Sequence, residues 1–347
     1  MIKRALRHWR VKVGVQRLFS CLPGSLGYYL NEKATRFIRG PRVEIVRSAD
    51  RLDYRIPNLA KIPEKTGWNF GGKCILEMGS GWHGLDLILF YLLGARKTIT
   101  IDQHRNLTLD VMLSHLPAIS QAKSIDLLSQ IEPADQVAQR WQRLEKGAAD
   151  CGRLEDLLDL LRVDYRIAKS ASPIGLRIPP GSVDLYYSHS VLQRVAERDL
   201  RKIVDYISNV LFNDNSAFFH NMHLSDIHGM EHCDDKLWRL RYLKYSDPFF
   251  KIFYNSRLAS QNRLRTSDIV DMFTAVGLQI TYLESYCKAR DLEKIRSLRV
   301  AKRFRSKEDL DLATTHAFIY GVKSEDARRN PVVERNQMVT DAFQDGP

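Results

Sequence analysis

Short apolar runs alternate along this chain with longer amphipathic stretches, the rhythm of strands joined by helices. Residues 73–78 and Thr98–Asp102 read as two strands on either side of an apolar helix. Residues 103–160 carry helical periodicity in blocks at Leu107–Leu116, Ile125–Leu128, Val137–Leu144 and Leu154–Leu161. Strand signals return after residue 163, again at Val183–Ser188, and after a helix at Ala196–Leu211 in Ser216–Met222. Thr266-Ser267-Asp268 is suited to cap a helix over Ile269–Val276, with Gly277 at its end, before a last strand pair at Leu278–Tyr282 and His316–Val322. Around this frame, residues 1–40 read as a helical extension and 41–72 as a connector broken by Pro57 and Pro63. Residues 223–265 read as a polar and aromatic lid, and 324–347 as a disordered tail. The alternation places residues 41–323 in one α/β domain around a largely parallel sheet.

The first strand ends in Glu77-Met78-Gly79-Ser80-Gly81-Trp82-His83-Gly84, and the second ends on Asp102. Glycines let the turn take positive φ and let a ligand approach the backbone. The following helix start offers unpaired N–H groups, and an acid at the tip of the next strand can take two ribose hydroxyls. This is a nucleoside-binding βαβ unit. Glu77 at the mouth of the turn would repel a pyrophosphate and attract a cation, which argues against a dinucleotide.

The Glu-x-Gly-x-Gly form resembles motif I of the class I S-adenosylmethionine-dependent methyltransferases. Gly181-Ser182-Val183-Asp184-Leu185-Tyr186-Tyr187-Ser188-His189-Ser190-Val191-Leu192 resembles the segment around strand 4 of that superfamily. His223-Leu224-Ser225-Asp226-Ile227-His228 and Gln261-Asn262-Arg263-Leu264-Arg265 look like elements of bacterial methyltransferases linked to surface-glycan biosynthesis. The resemblance implies a Rossmann-like, seven-stranded sheet and S-adenosylmethionine as cofactor. It places the cofactor on Glu77, Gly79, Ser80, Gly81, Asp102, Gln103, Ser170 and Ser188. His189, His223, Asp226 and His228 become candidate bases for a hydroxyl acceptor, since histidine titrates near neutral pH. Asn262, Arg263 and Arg265 become candidate grips for a phosphate or carboxylate of that acceptor, or else a salt bridge that fixes the lid. The expected activity is O-methylation of a sugar or glycan intermediate, with a lipid or small carboxylate as the alternative acceptor. A relative that binds the cofactor and transfers nothing is the other reading.

Departures accompany the matches. Leu192-Gln193-Arg194 stands where the superfamily often has Leu-Glu-His, and Ser170 stands at the usual acidic adenine contact. One acid of the element after strand 5 is replaced and its histidine is displaced by a residue.

Composition narrows the rest. The 347 residues are 44% hydrophobic and 27% charged, an ordinary globular balance. Five cysteines, scattered and without Cys-x-x-Cys spacing, argue for a reducing, cytoplasmic setting and against a zinc site. His220, His223 and His228 lack metal-ligand spacing on a defined element, so no metal is expected. No apolar run reaches the ~18–20 residues that span a bilayer. Much of the formal charge of +12 sits towards the two ends of the chain, in residues 1–19 and between Lys288 and Arg305. In residues 1–19, Ile2, Leu6, Trp9, Val13 and Leu18-Phe19 share one helical face with basic residues mostly elsewhere. That pattern suits peripheral contact with an anionic membrane at its inner face, and equally a helix packed on the domain, the commoner use of such a stripe. The basic run from Lys288 to Arg305 alternates with acids as a solvated helix face does, and no RNA-binding signature makes nucleic acid a partner.

Overall fold

The computed structural model describes residues 9–23, 26–39, 48–226, 239–256, 258 and 260–340. The N-terminal extension forms α1 (Trp9–Ser20) and α2 (Leu26–Arg39), which pack on each other. The expected connector is instead a long helix, α3 (Ser48–Thr66), that contains both prolines. Leu52, Ile56, Leu59 and Ile62 recur at helical spacing and are buried against the sheet, while Pro57 lies on the exposed side. A buried stripe of this kind outweighs the cost of two missing N–H groups, one of them on the solvent side.

The βα repeat then runs β1 (Cys74–Met78), α4 (Leu85–Leu92), β2 (Lys97–Asp102) and a helical excursion. That excursion comprises α5 (Leu109–Leu113), α6 (Leu116–Ile119), α7 (Ala122–Leu128), α8 (Ala134–Ala149) and α9 (Leu154–Leu160). After it come β3 (Val163–Ile167), β4 (Val183–His189), α10 (Glu197–Tyr206) and β5 (Phe212–His223). The chain closes with α11 (Thr266–Thr274), β6 (Leu278–Cys287), α12 (Ala289–Ser297), α13 (Asp309–Ala313), β7 (His316–Lys323) and β8 (Val332–Val339). The cap of α11 falls one residue earlier than expected: Arg265 is the N-cap, and its N–H donates to Asp268 Oδ2 at 2.8 Å.

The strands form one sheet of eight in the order β3-β2-β1-β4-β5-β7-β6-β8, with β7 antiparallel to both neighbours. Through β6 this is the Rossmann-like sheet of the class I methyltransferase fold. β8 is an addition, since the segment expected to be disordered pairs in parallel with β6 along its whole length. Lys65 reaches Glu334 at 3.2 Å and Asn336 donates to Tyr282 at 3.3 Å, so the strand is also held from α3 and β6.

Central strands covered on both faces must be apolar throughout, and all five residues of β1 are buried. One core lies between the sheet and α3, α4 and the helical excursion; another lies on the opposite face under α10 and α11. A third cluster joins Leu240, Tyr242, Phe250 and Tyr254 of the lid to Ile295, Phe304 and Leu312, so the basic run contributes Ile295 and Phe304 to a core of its own with the lid.

Asp184 ties the lower end of the sheet. Its carboxylate accepts from Cys74 N at 2.8 Å and from Asn213 Nδ2 at 3.1 Å, which joins β4 to β1 and β5. Asp184→Ala should therefore lose about 1–3 kcal/mol, because both donors are left without their acceptor. Thermal unfolding should show a fall of several degrees, only partly restored in Asp184→Asn, whose amide keeps one of the two acceptors; an unchanged midpoint would contradict this fastening role.

Candidate functional site

The carboxyl ends of β1, β2, β4 and β5 converge, and the glycine turn sits at their centre. Gly79 has φ +81°, and a Cβ there would lie 2.5 Å from Val191 Cγ2, so only glycine fits. Its N–H donates to Ile101 O at 2.7 Å, which draws the turn against β2. Gly81 N donates to Asp102 Oδ2 at 2.9 Å and Gln103 N to Oδ1 at 2.6 Å. These bonds aim a half-buried carboxylate while leaving each oxygen a lone pair for another donor. Burial nevertheless raises the Asp102 pKa above its usual value.

Glu77 is only 3% exposed and accepts from Thr100 Oγ1 at 2.5 Å. Burial, then the nearby Asp86 carboxylate, pushes its pKa up to about 8. Asp86, at the start of α4, pairs with Arg55 of α3 at 2.7 Å. Burial also raises Asp86, with Arg55 opposing it, so of the two acids Glu77 holds its proton and Asp86 has the guanidinium.

The rim beside Asp102 comes from the extension. Tyr28 of α2 stacks on His104 with ring centres 3.9 Å apart and donates to Asn106 Oδ1 at 2.8 Å. On the turn's other flank, buried His115 meets His83 O at 3.1 Å, and burial lowers its pKa to about 4.

Across the sheet, His189 ends β4. Its Nε2 lies 2.6 Å from Asn221 Nδ2, and the same amide donates to Tyr54 OH at 2.9 Å. Burial, then the Arg55 charge, holds His189 well below its ordinary pKa, so the ring is neutral. With an amide donor facing Nε2, the network assigns the lone pair to Nε2 and the proton to Nδ1, 3.3 Å from Ser190 Oγ. His223 and His316, paired across β5 and β7, meet edge to face at 4.1 Å. Tyr54, Arg55, Asn221 and His316 were not foreseen from the sequence. No motif marks them, and α3 was read as a connector.

The structure gathers Glu77, Gly79, Ser80, Gly81, Asp102 and the Gln103 backbone, with Ser170 in a turn after β3 at φ +57°. Other expected residues serve elsewhere. Ser188 points to the opposite sheet face and shares a 2.8 Å hydrogen bond with His220 Nδ1. Asp226 is fully buried and accepts from Tyr254 OH, which places it in the lid's anchorage rather than beside an acceptor. His228 lies outside the described residues. Asn262 Nδ2 donates to Leu192 O and Val195 O at 2.7 and 2.8 Å. Arg263 is held by the Tyr245 carbonyl and Asp247, with its guanidinium over Phe250. Arg265, with no exposed surface, donates to Leu224 O, Tyr242 OH, Asp311 O and Thr314 O. All three fasten the lid, with their donors directed to the protein itself. Among the described residues no group of three or more His, Cys, Asp or Glu could hold a metal ion.

The chain matches no family model and no curated protein. Its fold is similar to that of an S-adenosylmethionine-dependent methyltransferase from Methanosarcina mazei, at 14% identity and a TM-score of 0.38, covering 73% of this chain and 93% of that one. It is also similar to geranyl diphosphate C-methyltransferase from Streptomyces coelicolor A3(2), solved with Mg2+, geranyl-S-thiolodiphosphate and S-adenosyl-L-homocysteine. There the identity is 9% and the TM-score 0.37, over 76% of this chain and 75% of that one.

Arg265→Ala should cost at least about 2 kcal/mol, since several buried carbonyls lose their donor. Thermal unfolding checks this. A variant as stable as the parent would return Arg265 to the candidate substrate contacts.

Proposed function

We propose that this protein is an S-adenosylmethionine-dependent methyltransferase acting on a hydroxyl of a small acceptor, with a sugar or glycan intermediate as the first class to test. The observation that carries the reading is the buried Glu77 carboxylate opposite a glycine turn whose next strand ends in the backbone-held Asp102. A dinucleotide would bring a pyrophosphate against Glu77; an amino-acid-bearing nucleoside brings an ammonium there. When bound, S-adenosylmethionine supplies a methyl group activated by its sulfonium.

Each residue then has a defined task. Glu77 would accept from the ammonium, the Gly79–Gly81 backbone would lie along the methionine, and Asp102 would take the ribose hydroxyls. Ser170 would face the adenine amine. His189 would receive the acceptor's proton at Nε2 once the Asn221 amide that now faces it has turned away, while Tyr54, edge-on at 5.8 Å, keeps the ring in place. A neutral imidazole is the competent form of such a base. A lipid-like acceptor is the second reading, favoured by Phe249, Ile252 and Phe253, which the lid leaves exposed.

The test begins with thermal unfolding in excess S-adenosylmethionine, its demethylated product, and NAD. A ligand at ~100 times its dissociation constant adds about 2.7 kcal/mol of stability. The first two ligands should raise the midpoint and NAD should not; stabilisation by NAD alone, or by none, sinks the reading. His189→Ala should retain cofactor binding and lose turnover, whereas Asp102→Ala should lose both.

Glu77 supplies a pH signature. Its folded pKa lies above the usual 4.5, so the proton it carries stabilises the fold fully below that value, and the contribution is lost as pH rises through about 8. An ammonium pairs with the ionised form. The ligand's α-amino group also titrates at about 8, so cofactor affinity should pass through a maximum near pH 8 and weaken on either side. Calorimetric titration should show this maximum in the parent, and Glu77→Gln should bind more weakly and lose the acidic limb, with no gain between pH 7 and pH 8.

A further inference from the structure

A cleft of about 280 Å³ separates the extension from the lid, and neither the nucleoside site nor the His189 network uses it. Arg17, Ser20 and Cys21 line one wall; Lys251, Asn255 and Ser256 line the other. Among the described residues no acidic side chain lines it, and neither Arg17 nor Lys251 belongs to an ion pair. Two cations that converge without a counter-charge repel each other, and an anion between them turns that repulsion into attraction. The Asn255 amide beside the cations suits a phosphate oxygen, while the Ser20 hydroxyl donates to Gln16 O at 2.7 Å.

The walls are apolar on their outer sides. Leu18, next to Arg17, is 67% exposed, and Ile252 and Phe253, next to Lys251, are 52% and 57% exposed. Phe253 lies with its ring centre 5.1 Å from that of Phe249, also exposed, which makes a continuous aromatic surface. The segment carrying Lys251 is anchored, not loose. Phe250 and Tyr254 are buried in the lid core, and the Tyr254 hydroxyl donates to Asp226, three residues beyond His223. The cleft therefore belongs to the same end of the sheet as the His189 network, with a cationic interior and an apolar border.

We propose that this cleft binds the phosphate group of an amphiphile, whose hydrocarbon lies over Leu18, Phe249, Ile252 and Phe253. On the methyltransferase reading, which this inference deepens, that amphiphile is the acceptor, and the extension and lid hold it by the head while its hydroxyl reaches the sheet end. A charged head and an apolar chain would each contribute to affinity, and the charged part would weaken with added salt.

Calorimetric titration of the full-length protein with octyl phosphate below its micelle concentration tests this, with inorganic phosphate and octyl glucoside as head-only and chain-only probes. Octyl phosphate should bind at least tenfold more tightly than either. Arg17→Ala and Lys251→Ala should each weaken octyl phosphate at least fivefold, and the double variant should abolish binding. Phe253→Ser should weaken octyl phosphate and leave inorganic phosphate unchanged. Melting temperature and S-adenosylmethionine affinity measured on every variant separate loss of the cleft from loss of the fold. Equal affinity for octyl glucoside removes the phosphate, equal affinity for inorganic phosphate removes the chain, and indifference to the double variant removes the cleft; each overturns the proposal. If the parent binds octyl phosphate but not S-adenosylmethionine, the methyltransferase reading fails and the phosphate site stands.

Discussion

Three buried or half-buried carboxylates meet at the end of β1, while the positive charge of α3, Arg55 with Arg51 beyond it, is directed first at Asp86, and the site depends on that imbalance. Arg55 pairs with Asp86 at 2.7 Å, Asp102 is steadied by backbone N–H groups, and Glu77 has only a threonine hydroxyl. An uncompensated buried carboxylate is costly, so a free Glu77 takes up a proton instead. A ligand with an ammonium at that point replaces the proton. On the proposed function, the ammonium of an amino-acid-bearing nucleoside would supply the positive charge that Glu77 lacks. The fold supports it from two sides: Thr100 from β2 and Arg55 from α3, which is why the helix before β1 matters to the site and is more than a lead-in.

The βα frame was legible because its strands are short, apolar and bounded by glycines, and because the Glu77–Gly84 turn and Asp102 carry their chemistry in adjacent residues. Two elements were not. α3 contains Pro57 and Pro63, local signals against a helix, and only its buried Leu52–Ile62 stripe, which needs the sheet as a partner, outweighs them. β8 is half-buried at best and polar, and its pairing with β6 comes from an edge left open by the rest of the sheet. Neither partner surface is visible to a window of sequence.

The site residues divide by the same logic. Arg263 and Arg265 look like anion grips because sequence shows charge and not burial. In the folded chain Arg263 braces the lid internally through the Tyr245 carbonyl and Asp247, and Arg265 ties the lid to α13 through the Asp311 and Thr314 carbonyls. Asp226 follows them into that anchorage. The lid core of Tyr242, Phe250 and Tyr254 is thereby tied to Ile295, Phe304 and Leu312, residues distant in sequence, and its fixed position lets Lys251 and Arg17 face each other.

Tyr54, Asn221 and His189 show how the two halves of the site communicate. Each comes from a different element, α3, β5 and β4, and Asn221 donates to both of the others. The next residue of α3, Arg55, holds Asp86, the charge that helps keep Glu77 protonated. Occupation of the Glu77 position by a cation therefore changes the field at the N-terminal part of α3, which also places the Tyr54 hydroxyl against Asn221. His189 can accept a proton only when its Nε2 is released from that amide. On the proposed function, α3 would support both the cofactor charge, through Arg55 and Asp86, and the orientation of the base, through Tyr54 and Asn221.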